Sequence, residues 1–111
     1  METWKAFEKL YKDGRVRAIG LSNFMQEHVQ KLLDTCEIKP MVDQIECHPF
    51  LTQTQMQKFL FENQIAMTAW SPLAHGEVFG NETLQKIADK YNKNIAQIVI
   101  RWELQRGIIT I

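Results

Sequence analysis

Four short runs dominated by apolar residues, each separated from the next by a stretch of helical periodicity, constrain this chain more than anything else in it. They are Val16-Arg17-Ala18-Ile19-Gly20-Leu21, Met41-Val42-Asp43-Gln44-Ile45-Glu46-Cys47, Ile65 to Trp70, and Ile108-Ile109-Thr110-Ile111. Strands that alternate with helices are expected to form a parallel sheet with right-handed crossovers, since parallel neighbours need a connection long enough to hold a helix. The expected fold class is therefore α/β, with about four parallel strands, as a small open sheet or as an arc of a barrel. The 111 residues fit one compact unit. They fall short of the roughly 250 that a closed eight-fold α/β barrel takes.

The helical stretches carry their own punctuation. Trp4, Phe7, Leu10 and Tyr11 share one face, and Asp13-Gly14 ends that helix with a glycine free to turn left-handed. From Met25 the period returns through Val29, Leu32, Leu33 and Cys36, until Ile38-Lys39-Pro40 breaks it. Thr52 with Gln55 three residues on has capping-box spacing, ahead of Met56, Phe59 and Leu60. Two helices follow the Ser71 to Gly80 loop. One runs from Asn81 to about Tyr91 on a stripe of Leu84, Ile87, Ala88 and Tyr91. The other is capped by Asn94 with Gln97 at the third position; it carries Ile95, Ile98, Val99 and Trp102 inward and stops at Gly107. The small residues Ala18 and Gly20 imply a close neighbour to the first strand.

In parallel α/β architectures ligands gather at the carboxyl ends of the strands. Ser22-Asn23, Gln44 and Trp70-Ser71 stand there. An indole at a strand end, followed by a Ser-Pro step and a Gly-containing loop, offers a stacking face beside a cradle of backbone N–H groups. Core or rim packing is the plainer role for Trp70, as helix capping with Gln26 is for Asn23. Gln44 demands more, because a primary amide in a buried strand needs partners for two donors and an acceptor. A ring stacked on Trp70 with a carboxamide meeting Ser22, Asn23 and Gln44 describes a nicotinamide. Cys47-His48 reads as no metal pair, since strand neighbours point to opposite faces. His75 with Glu77 is either an acid/base couple or a solvated loop pair, and Arg101 and Arg106 read as surface charges. No Gly-rich dinucleotide fingerprint is present.

Thirteen basic residues balance thirteen acidic ones, so charge points to neither nucleic acid nor an anionic membrane. No apolar run approaches a membrane span, and Met1 to Lys5 shows no secretory signal. Cys36 and Cys47 are expected to be reduced thiols in a cytoplasmic protein.

Across essentially its whole length the chain resembles the aldo-keto reductase superfamily. The likeness is carried by Gly14 to Phe24 (GRVRAIGLSNF), Asp43 to Pro49 (DQIECHP), Trp70-Ser71-Pro72-Leu73 and Ala96 to Trp102 (AQIVIRW). The indole at Trp70, where many members have Tyr, looks like the bacterial diketogluconate reductase type, and Asp43 replaces the family's usual Asn. The resemblance implies the C-terminal half of a (β/α)8 TIM barrel, residues 1–111, from an NADPH-dependent reductase of small aldehydes, ketones or keto-sugars. By the family's pattern Ser22, Asn23 and Gln44 hold the nicotinamide carboxamide and Trp70 stacks on the ring. Ser71, Leu73 and His75 face the pyrophosphate. The catalytic Asp, Tyr, Lys and His are expected to belong to strands that precede this chain; Tyr11, Tyr91 and His48 do not match them, so the chain alone is expected to be inactive. The alternative is a catalytically silent module that self-associates, the edge strand at Ile109 of one copy pairing with that at Ile19 of another, with the helix at Trp4 to Tyr11 over the seam.

Overall fold

A computed structural model describes all 111 residues. Ten elements alternate as the periodicity predicts: α1 (Glu2–Lys12), β1 (Gly20–Ser22), α2 (Gln26–Leu33), β2 (Val42–Glu46), α3 (Thr54–Glu62), β3 (Ala66–Trp70), a kinked 3₁₀ segment (Ala74–Gly80), α4 (Glu82–Lys90), α5 (Ile95–Gln105) and β4 (Ile109–Thr110). The four strands form one parallel sheet in the order β1-β2-β3-β4. That is half of a (β/α)8 TIM barrel, opened along both sides. The radius of gyration is 16.6 Å, with extents of 50 × 27 × 22 Å. A compact chain of this length would have a radius of about 13 Å, so the molecule is elongated.

Alternation along the strands assigns one face to the helices. Ile45, Met67 and Ala69 pack with Val29 of α2, with Met56 and Leu60 of α3, and with Ile108, all buried in one cluster. A second cluster joins Ala74 and Val78 to Ala88, Ile95 and Val99, tying the 3₁₀ segment to α4 and α5. The opposite face of the sheet carries Val42, Gln44, Glu46, Ala66, Thr68, Trp70 and Ile109, and no helix covers it.

Four local expectations are corrected. β1 spans Gly20–Ser22 and not Val16 to Leu21, because its pairing with the β2 segment starts only at Ile19. There Met41 N donates to Ile19 O at 2.9 Å, and Pro40 before it has no N–H to extend the ladder. On α1, Glu8 is buried while Phe7 is exposed. The Glu8 carboxylate accepts the N–H groups of Glu37 and Ile38 at 2.7 and 2.6 Å, beside Trp4 Nε1 donating to Ile38 O, and these three bonds dock the helix. Thr52 caps nothing. The residue before α3 is Gln53, at φ 54, and its amide donates to Glu46 O at 2.9 Å. Ile87 and Tyr91 are exposed, leaving Ala88 as the buried contact of α4.

Other expectations hold in detail. Gly14 follows α1 at φ 72. Asn94 and Gln97 form a reciprocal capping box at 2.9 and 3.0 Å. Asn81, the expected first residue of the next-to-last helix, is the cap of α4 through Leu84 N. The close neighbour implied by Gly20 is Val42: a Cβ at residue 20 would collide with its Cγ1 and sit 2.6 Å from its carbonyl oxygen.

Candidate functional site

Parallel register sets the spacing of the site. Ser22 is the partner of Gln44, Gln44 of Thr68, and Glu46 of Trp70. All five lie on the sheet face that no helix covers, with Trp70 and Gln44 half-buried and Ser22 exposed. The Gln44 amide and the Ser22 hydroxyl make no hydrogen bond inside the chain, and neither is sealed from solvent. A ligand carboxamide could therefore take both. The next residue, Asn23, is at φ 61 and its N–H donates to Gln44 O at 2.8 Å.

Asn23 does not cap α2, the helix that follows it. Met25 occupies the cap position, its N–H bonded to His28 Nδ1 at 3.2 Å. The left-handed turn at Asn23 instead sends its side chain across the sheet, where Oδ1 accepts from Trp70 Nε1 at 2.8 Å. This bond spans 47 residues of sequence and fixes the plane of the indole at the carboxyl end of β3. Trp70 is thus held by its edge at the end of β3, half-buried and not wedged in the interior. The Asn23 amide nitrogen keeps both its protons for another acceptor.

The loop after Trp70 is built from residues with positive φ: Ser71 at 52, Ala74 at 51, His75 at 55 and Gly76 at 91. Such a run can form an anion-binding concavity. Here, however, the turn consumes several of its own donors: Ala74 N bonds Ser71 O, His75 N bonds Ser71 Oγ, and Gly76 N bonds Leu73 O. The N–H groups of Ser71 and Leu73 have no backbone acceptor. The cradle is therefore narrower than the loop composition suggested. The His75 ring lies edge-on to Trp70, centroids 6.4 Å apart, and makes no ion pair with Glu77. Leu73 packs in part against the cluster of Ala74, Val78 and Val99.

Asp43, Cys47 and Glu103 are buried ionisable groups on β2, just past it and on α5. Asp43 is fully buried on the helix side, between the register neighbours Leu21 and Met67. Neither of its oxygens has a hydrogen-bond partner. Burial pushes its carboxyl up to about 6; the Phe24 backbone N–H is near enough to oppose the shift but is not placed to form a hydrogen bond. Glu103 on α5 is also fully buried, and burial raises it to about 7 against the opposing pull of Arg106 and the Cys47 thiol. Cys47 Sγ lies 3.7 Å from Glu103 Oε2, and burial raises the thiol to about 11, so it is an inert thiol and not a nucleophile. Arg106 is no surface charge. It donates to Thr52 O at 2.5 Å and Gln57 Oε1 at 2.8 Å, and its guanidinium stacks 4.4 Å over Trp102.

Beyond Cys47 the chain turns over. His48 points the opposite way from Cys47, as strand alternation predicts, and returns to Glu46: His48 Nε2 lies 3.2 Å from Glu46 Oε1. Only the polar positions in β2 hinted at this couple, and no sequence signal announced the Glu103–Cys47–Arg106 group, whose members meet across 56 and 59 residues. A concavity of about 850 Å³ lies between α4, α5 and residues Pro49 and Thr52. It includes none of Ser22, Asn23, Gln44 or Trp70. No helix is long and apolar enough to cross a membrane.

Comparison with known proteins agrees with this architecture. Residues 1–111 match the family model described as "Aldo/keto reductase family". The chain is 52% identical over 110 residues to the glyoxal reductase of Bacillus subtilis, covering 99% of this chain and 40% of that protein. It is 41% identical over 113 residues to the methylglyoxal reductase DkgA of Escherichia coli, covering 100% of this chain and 41% of that one. An aldo/keto reductase from Brucella melitensis superposes with a TM-score of 0.94 at 42% identity, over 99% of this chain and 42% of the other. An aldo-keto reductase complexed with NADPH gives 0.90 at 32% identity, over 99% and 37%. The chain thus spans about 40% of the length of the curated relatives it matches. A four-stranded parallel arc, with an indole pinned by a neighbouring strand's asparagine and a match over every residue, leads to one conclusion: the chain belongs to the aldo/keto reductase family.

Proposed function

We propose that this chain is the C-terminal, nicotinamide-holding half of an NADPH-dependent reductase of small aldehydes, ketones or keto-sugars. In this reading Ser22, Asn23 and Gln44 hold the carboxamide, Trp70 stacks on the ring, and Ser71, Leu73 and His75 face the pyrophosphate. The observation that supports it is the 2.8 Å bond from Trp70 Nε1 to Asn23 Oδ1, which holds the half-buried indole against the residue whose own N–H is bonded to Gln44 O. The residues fit the cofactor's head group: a hydroxyl and two amides are the donor set a carboxamide needs. The bound cofactor supplies a hydride to a carbonyl carbon. The relatives named for glyoxal and methylglyoxal support small reactive carbonyls as the substrate class, and a cytoplasmic setting suits two free thiols.

Carbonyl reduction also needs a proton delivered as charge develops on the oxygen. Tyr11 and Tyr91 lie on α1 and just past α4, away from the open sheet face, and the only His at the end of β2 is committed to Glu46. The isolated chain is therefore expected to bind cofactor weakly and to turn nothing over. Fluorescence titration tests the site: NADPH should quench the wild-type chain and leave Trp70→Ala unquenched, although Trp4 and Trp102 remain. No quenching at millimolar cofactor refutes the reading. A second reading, a catalytically silent self-associating module, is favoured by the unpaired edges of β1 and β4. A monomeric mass by light scattering at micromolar concentration would remove it.

A further inference from the structure

Glu46 and His48 stand on the same open face as the amide site, yet holding a carboxamide uses neither of them. His48 Nδ1 accepts the Phe50 backbone N–H at 3.2 Å, so in the neutral imidazole the proton resides on Nε2. That N–H is directed at Glu46 Oε1, 3.2 Å away. The His48 side chain is 9% exposed and that of Glu46 31%, so a buried ring holds a half-open carboxylate. Gln53 fixes the same residue from behind, its amide donating to Glu46 O at 2.9 Å. No Lys or Arg pairs with Glu46: the lysine ion pairs of the chain are to Asp13, Glu37 and Glu62. The strand register then locates this charge. Glu46 follows Gln44 by two residues on one face, and its Cα partner is Trp70.

We propose that Glu46, oriented by His48, is a specificity-determining residue of the cofactor site, placing a fixed negative charge beside the nicotinamide ring so that the oxidised cofactor is held in preference to the reduced one. The inference rests on the reading of Trp70 and Gln44 as the nicotinamide site. A ring stacked on Trp70 with its carboxamide at Gln44 spans those two positions, which brings Glu46 within about one to one and a half strand spacings of it. Hydride departure turns that ring from neutral to positive, while the phosphates of the two cofactor forms are the same. A carboxylate there lowers the energy of the charged ring only. Glu46 touches the cofactor side of the sheet; His48 acts through Glu46 and is a positioning residue.

The test is the ratio of NADP⁺ to NADPH affinity, measured by tryptophan quenching on the folded chain, because the phosphate contributions cancel in it. For a half-exposed unit charge at this separation, Glu46→Gln should lower the ratio about tenfold in NADPH's favour, and Glu46→Asp should restore part of it. His48→Ala should move the ratio in the same direction by less. Should Glu46→Gln fail to fold by circular dichroism, the wild-type chain alone decides: raising the salt from about 0.05 to 0.5 M should shrink its preference for NADP⁺, as screening of a single ring charge requires. A ratio unmoved by Glu46→Gln, or in its absence by salt, overturns the role of Glu46 and leaves the nicotinamide site standing. Failure of the wild type to bind either form overturns both.

Discussion

Replacing Asp43 by Asn should stabilise this fold at neutral pH, and more so the higher the pH. The side chain is fully buried, neither oxygen is partnered, and burial sets its folded pKa at about 6 against an ordinary 3.8. The folded chain therefore holds this proton more tightly than the unfolded one. The stability it contributes is complete below the unfolded pKa, falls as pH rises between the two values, and is gone above the folded one. The gap corresponds to a loss of about 3 kcal/mol at the upper limit, of which about 2 falls between roughly pH 4.5 and 7.5. An asparagine in this place would keep the shape and the approach to the Phe24 N–H without an ionisation to lose. Urea denaturation of wild type and Asp43→Asn at both pH values measures the difference directly, and the quantity that matters is its change with pH. A gap in the mutant's favour that widens by about 2 kcal/mol toward high pH is expected. A gap independent of pH, or one that narrows, would refute the view of Asp43 as an uncompensated buried acid.

Two further outcomes follow from the packing. Gly20→Ala forces a Cβ into Val42, whose carbonyl oxygen cannot move without breaking the β1–β2 ladder, and should cost about 1–3 kcal/mol in the same denaturation assay. Arg106→Met removes the donor to Thr52 O and Gln57 Oε1 and leaves Glu103 without its nearby cation; a loss of about 2–3 kcal/mol at pH 8 is expected, smaller at pH 5, where Glu103 is protonated.

What could be read from the sequence was what nearest neighbours decide. The capping box of Asn94 and Gln97, the left-handed Gly14 and the alternation of strands with helices depend on residues three or four apart, or on periodicity, and each is present. Asn23 defeated the same logic. A good local cap was available with Gln26, but the partner that won is Trp70, brought beside it only when β1, β2 and β3 align. Thr52 and Gln55 fail for a similar reason, since the Gln53 amide is drawn to Glu46 O and the helix starts one residue later, after a left-handed turn at φ 54. Arg106 looks like a solvated helix charge until Cys47, Thr52 and Gln57 arrive from the other side. Of the candidate site, the strand-end positions were legible because parallel sheets expose ligands there. The donors spent inside the Ser71 to Gly76 turn were not, since the loop's hydrogen bonds depend on a run of positive φ that no single residue announces.

Everything proposed for this chain depends on one indole face and its neighbouring amides receiving a nicotinamide. Intermolecular nuclear Overhauser contacts between the Trp70 ring and bound NADPH test this without relying on turnover. Contacts are expected from the indole to the nicotinamide ring protons and from the Gln44 side-chain amide to the same moiety, all lost in Trp70→Ala. Contacts to the adenine alone, or nicotinamide contacts that survive in Trp70→Ala, would contradict it.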